Sequence, residues 1–201
     1  MHWAVIQGKT RTGVCTMHMA RRLDAGDVIY CEEMPIDPKE QTGSLYARLA
    51  ARGAHLLVRT LRDLQKGSAP RIAQDESAAT YAPQIHRTER YLDWHDTAQD
   101  IANKVRGLMP VPRALARMDG EDWIITSARV AQGTDVEGLD PATLPGTVAL
   151  ASAKRGLFVR AGGGWIEILK LKTPGKREMD AKAYLNGVAI EAGARFEEGT
   201  T

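Results

Sequence analysis

The chain has 201 residues, of which 43% are hydrophobic and 26% charged. That is enough for one large domain or two small ones, and too apolar for a disordered polyelectrolyte. The formal net charge of +2 is too small to mark a polyanion partner, so the distribution of charge matters more than its sum. The two cysteines, Cys15 and Cys31, cannot build a disulfide framework. No apolar run approaches the ~20 residues of a membrane span, and the N-terminus lacks a signal-peptide core. A soluble cytoplasmic protein is expected.

The opening "MHWAVIQGK" has no polar cap and places Trp3, Val5 and Ile6 at once, as a helix already under way would. "TGVCTMHM" (12–19) alternates, with Val14, Thr16 and His18 on one side and Cys15, Met17 and Met19 on the other, which reads as a strand. "DVIYCEEMPI" (27–36) reads as a second. The connection "ARRLDAG" lies between them, and Asp24 before Ala25-Gly26 is compatible with ordinary turn chemistry. From 42 to 68 the period is helical. Leu45, Leu49, Leu56, Leu57, Leu61 and Leu64 form the expected buried stripe, and Gly53 suggests a kink or break. Arg48, Arg52, Arg59 and Arg62 fall largely off that stripe and read as a solvated face.

Residues 67–95 are polar and aperiodic and read as a linker between domains. A short helix follows over 96–109, stopped by Pro110 and Pro112. From 113 onward the pattern is β, beginning with a hairpin turning at Asp119-Gly120. "GTVALAS", "GLFVRA" and "GWIEILKLK" supply three more strands. "DAKAYLNG" closes as a helix, with Asp180 in cap position and Gly187 past its end. Five short strands with a small helix fit a compact barrel of the oligonucleotide-binding (OB) kind, although periodicity does not exclude another barrel.

Two motif readings fail on spacing. "QGKT" (7–10) resembles the tail of a phosphate-binding loop, but the position that needs its first glycine is Trp3. Cys15, His18 and Cys31 suggest a metal site, but residues 15 and 18 point to opposite faces of one strand and no fourth ligand is evident. Packed thiols, a satisfied His18 and no metal are expected. Charge is more informative. Residues 154–182 carry eight basic side chains against three acidic ones, whereas 119–140 hold six acids against Arg129. Lys170 and Lys172 alternate along one strand, and "TPGKR" extends their face through Lys176 and Arg177. Such a face suits a nucleic-acid backbone, and a solvated rim would look the same.

In order, these segments resemble the methionyl-tRNA formyltransferase family. "TGVCTMHMARRLDAGD" is similar to the family's "TGV-x-x-M-x-M…LD-x-GD" pattern, "YAPQIHRTERYLDW" to its interdomain linker, and "PGTV…GLFVRAGGGWIEILKLKTPGKREMDAKAYLNG" to its C-terminal barrel. The resemblance implies the α/β remnant of a doubly wound formyltransferase domain over 1–66, a linker over 67–95, and an OB-like tRNA-binding domain over 96–201. It implies transfer of a formyl group from 10-formyltetrahydrofolate to the amine of methionyl initiator tRNA, by a monomer. Asp24 matches the family's catalytic carboxylate, which orients and charges an imidazole beside the developing oxyanion. Met19, Arg21 and Leu23 fall at the folate-contacting positions, and Lys170, Lys172, Lys176 and Arg177 are expected on tRNA.

The family's "SLLP" loop, asparagine and histidine have no counterpart in the chain. The resemblance therefore implies a chain entered in mid-domain, without formyl transfer by itself. A non-catalytic tRNA-binding module, or a fragment of a sugar-nucleotide formyltransferase or formyl-folate hydrolase, are the alternatives of other classes.

Overall fold

Trp3, Val5 and Ile6 do belong to a helix: α1 spans His2–Ile6, with Val5 fully buried. The computed structural model describes residues 1–197. The end of the expected 96–201 domain, 198–201, lies outside the described residues. Lys9–Pro83 form one compact unit, and His2–Gly8 group with the residues from Gln84 onward in a second.

In the first unit, β1 (Arg11–Met17) pairs antiparallel with β2 (Val28–Pro35). The register runs from Arg11 opposite Pro35 to Thr16 opposite Tyr30, with a bulge before Met17. A long helix, α2 (Thr42–Gln65), covers one face of this pair. The hydroxyls of Thr16 and Thr60 meet at 2.8 Å, Tyr30 donates to Asp63 at 2.8 Å, and the Arg59 guanidinium lies 4.0 Å over the Tyr30 ring. Gly53 does not break the helix. A Cβ there would stand 3.2 Å from a Val14 methyl, so the missing side chain lets strand and helix approach.

The leucine stripe is narrower than its spacing suggests. Leu45, Leu49 and Leu56 are buried, but Leu57, Leu61 and Leu64 are exposed. Leu56 and Leu57 stand ~100° apart around the helix, and a two-stranded layer covers only one of those sectors. The cysteines also differ from expectation. Cys15 and Cys31 face each other across the pair and form a disulfide instead of remaining packed thiols.

The expected linker is taken up by its neighbours. Ile72 exchanges backbone hydrogen bonds with Val28, at 2.8 and 3.0 Å. Leu92 and Trp94 enter the core of the second unit.

In that second unit α1 packs on α3 (Ala98–Gly107), where His2 Nδ1 donates to the Gly107 carbonyl at 2.8 Å. Thr97 caps α3 by accepting from the Asp100 amide at 3.1 Å. The β strands are β3 (Ala114–Met118), β4 (Glu121–Ala131), β5 (Val148–Ser152), β6 (Gly156–Ala161) and β7 (Gly164–Lys172). Asp119 and Gly120 turn the first hairpin with φ of 52° and 75°, the left-handed pair that a two-residue connection requires. A two-residue β8 (Met179–Asp180) pairs with β7 and leads into α4 (Ala181–Tyr184). Asp180 occupies the cap position of α4, but its side chain makes no capping bond.

The sheet runs β3-β4-β7-β6-β5 with β8 off its path, and it is not a closed barrel of named strands as the sequence suggested. Two isolated bridges sit at its ends instead: Arg195 pairs with Thr147, just before β5, and Glu197 pairs with Arg117 in β3. Trp94 stacks on Phe196 at 4.9 Å, and Trp123 meets Tyr184 and Phe196 edge-on at 5.5 and 5.7 Å. This aromatic group, with Ile101, Ile125, Val159 and Ile166, forms the centre of the core.

Candidate functional site

Asp24 lies in the connection between β1 and β2, with φ of 54°. Aspartate is one of the few residues that tolerate this left-handed conformation. Its side chain is exposed, and the carboxylate has no hydrogen-bond or ion-pair partner among the described residues. The backbone beneath it is held firmly. The amide of Gln74 donates to the carbonyls of both Asp24 (2.9 Å) and Gly26 (2.7 Å). The amide of His18 donates to the Asp27 carbonyl at 2.9 Å, and Arg71 reaches the Asp27 carboxylate at 3.1 Å. Gly26 is buried, and a Cβ there would run into the His18 carbonyl oxygen. Close approach of two chain segments, more than turn conformation, therefore demands this glycine.

The three positions matched to folate contact surround Asp24 in sequence, and all are exposed. Met19 is 95% and Leu23 88% exposed, and Arg21 is open as well. Arg22 is instead engaged with Glu76 at 2.7 Å. Two exposed apolar side chains thus flank the free carboxylate in sequence. Contrary to the satisfied histidine expected from the sequence, His18 Nε2 is buried without a partner. Gln74 is the residue that sequence reasoning missed: a lone amide in a polar segment carries no periodic signal.

Lys170 and Lys172 occupy the outer face of the end of β7, with Leu171 buried between them. The following turn, closed by the Lys176 amide on the Thr173 carbonyl at 3.1 Å, continues the basic surface. Its members are not equivalent. Lys176 and Arg177 are both exposed, but the Lys176 ammonium lies 5.0 Å over the Tyr184 ring. Two of the other cations serve the fold: Arg155 donates to the carbonyls of Asp135 and Glu137, both at 3.1 Å, and Arg160 lies 5.0 Å over Trp165. The acidic stretch 119–140 is also partly structural. Asp122 accepts from Arg87 and Tyr91, both at 2.8 Å. Arg129 bonds Asp135 and the buried Glu167.

Elsewhere in the second unit, a cavity of about 240 Å³ is lined by Trp3, Ile6, Ile85, Glu89, Asp96, Asp100 and Lys104. Burial pushes the Lys104 ammonium below its usual pKa, and Lys104 Nζ donates to the Tyr91 carbonyl at 2.6 Å. None of the sequence-matched residues lines this cavity.

The fold is that of a formyltransferase. HypX from Aquifex aeolicus, solved in complex with tetrahydrofolic acid, superposes with a TM-score of 0.64 at 20% identity, over 92% of this chain and 31% of HypX. WlaRD, a sugar 3N-formyl transferase solved with dTDP and 5-N-formyl-THF, superposes at 0.62 with 14% identity, over 87% of this chain and 59% of its own. Sequence narrows the class. The formyl transferase C-terminal domain matches residues 84–189 and the formyl transferase domain residues 1–61, so the chain belongs to the formyl transferase family. Methionyl-tRNA formyltransferase of Moorella thermoacetica is 41% identical over 96% of this chain and 60% of its own length. That of Bacillus subtilis is 36% identical over 96% of this chain and 59% of its own. The chain thus spans about 60% of the length of the curated relatives it matches. No helix among the described residues is long and apolar enough to cross a membrane.

Proposed function

We propose that this chain provides the Asp24 turn and the tRNA-binding unit of a methionyl-tRNA formyltransferase. Its substrates would be 10-formyltetrahydrofolate and methionyl initiator tRNA. The observation that carries this reading is the free, exposed Asp24 carboxylate on a turn fixed from below by Gln74 and Gly26, in a chain 41% identical to such an enzyme. When the amine attacks the formyl carbon, negative charge grows on the formyl oxygen and the nitrogen must release a proton. An ionised Asp24 serves that step by holding an imidazole in the right orientation and stabilising its protonated form. Met19, Arg21 and Leu23 would provide contacts for the folate. The second unit is read as an OB-like barrel whose seam between β3 and β5 is completed by Arg195–Glu197. Lys170, Lys172, Lys176 and Arg177 on that unit would meet the phosphate backbone.

A chimera tests the chemistry, with this chain replacing the matching part of the M. thermoacetica relative. Asp24→Asn should lower kcat and kcat/KM together by about 100-fold or more, with tRNA affinity retained. An unchanged kcat would remove Asp24 from the mechanism. For the chain alone, replacing the four basic residues by alanine should weaken tRNA binding and flatten its salt dependence. Each lost phosphate contact lowers the slope by about 0.7–0.9. A slope that does not change would mean that the cluster is a solvated rim.

A further inference from the structure

Cys15 and Cys31 are not packed inside the first unit. They are opposed residues of β1 and β2, both exposed, on the face turned away from α2. Val14 and Thr16, their alternating neighbours, take the inner face against Gly53 and Thr60. The adjacent cross-strand pair is Gly13 with Glu33, so one side of the disulfide is bordered by a residue with no side chain. The carboxylate of Glu33 is paired with Arg11 at 2.7 Å, which reduces its repulsion of an approaching anion. Thiol–disulfide exchange needs in-line access of a thiolate to sulfur, and exposed disulfides are the ones that exchange. The loop closed by this bond contains the whole 18–27 connection, including Asp24.

We propose that Cys15–Cys31 is a reversible thiol-exchange site for low-molecular-weight thiols, and that its oxidation state sets the rigidity of the Asp24 turn. A thiolate attacks one sulfur, the S–S bond breaks, and the other cysteine departs as a thiolate that takes up a proton. A second thiolate then attacks the mixed disulfide. The protein gains two protons and two electrons as a dithiol, and the two small thiols leave joined as their own disulfide. In the reduced state the connection keeps its bonds to Gln74 and Arg71 and the strands keep their pairing and their contacts with α2, but the one covalent tie across the base of the 18–27 connection is gone.

The chain is purified without reductant, incubated natively with millimolar reduced glutathione, and alkylated with N-ethylmaleimide. Two adducts per chain, on Cys15 and Cys31 and absent without glutathione, are expected by mass spectrometry. Amide hydrogen exchange in 18–27 should quicken by about threefold or more on reduction. The Cys15→Ser/Cys31→Ser variant should exchange at the reduced rate, whatever the thiol. Adducts that form only after denaturation would overturn the proposal by showing the bond to be inaccessible. Two adducts before any glutathione is added would show that the bond does not form. Identical exchange in both states would detach it from the Asp24 turn.

Discussion

The two units of this chain solve the problem of burial differently. In the second, residues from a segment that reads as a linker, from five strands and from the stretch around Phe196 converge on one core, in which Phe196 touches Trp94 and Trp123, and Trp123 touches Tyr184. The first has one helix on one strand pair. It leaves Leu57, Leu61 and Leu64 in solvent along with Met19, Leu23 and Ile72. A helix and a two-stranded ribbon provide one interface, and an element apolar on two sides needs two. The unit with the open apolar surface is the one that carries the free carboxylate.

The largest test of this contrast lies in the second unit. Trp94→Ala removes a ring stacked on Phe196 and should cost about 3–5 kcal/mol, seen as a lower midpoint for the transition of that unit. A loss under 1 kcal/mol would mean that the aromatic group does not organise the core. A sharper comparison uses adjacent residues of α2. Leu56→Ala should cost about 2–5 kcal/mol, because Leu56 is buried. Leu57→Ala should stay within about 0.5 kcal/mol by denaturant titration, because Leu57 is half exposed. Equal losses would mean that the second face of α2 is covered in solution.

The smallest expected effect is a difference in acid response. Hydrogen bonds from Arg129 hold the Asp135 carboxyl below its usual pKa. A folded value below the unfolded one stabilises above the unfolded pKa, near 4, and that contribution is lost as pH falls through the folded value. Asp135→Asn should therefore flatten the acid limb of stability in the second unit and leave the first unit's limb unchanged.

Some of this was legible from residues alone. The Asp119-Gly120 hairpin could be read because its two backbone conformations exclude most other residues. Strands β1 and β2 and helix α3 could be read from short, clear periods. The leucines of α2 were misjudged because spacing gives a stripe its direction but not the width of the layer that will cover it. Pairing of Cys15 with Cys31 depends on the exact register of two strands, which alternation alone does not fix. Closer to the site, Gly26 was legible as a small residue beside a turn. Gln74, fifty residues from Asp24, was not, because a contact between a side-chain amide and distant carbonyls follows no local pattern. At the far end, Arg195 and Glu197 pair through single bridges, too short to form a recognisable strand.

That last pairing has a consequence for how the protein is made. Phe196 fills the centre of a core whose earliest members are Leu92 and Trp94, about a hundred residues before it. Chains emerge from the ribosome N-terminus first, and domains fold as units once their sequence is available. The strands of the second unit would therefore wait, with Trp94 and Trp123 uncovered, until Phe196 had left the exit tunnel. Nascent chains stalled short of Phe196 would be the form most in need of a chaperone.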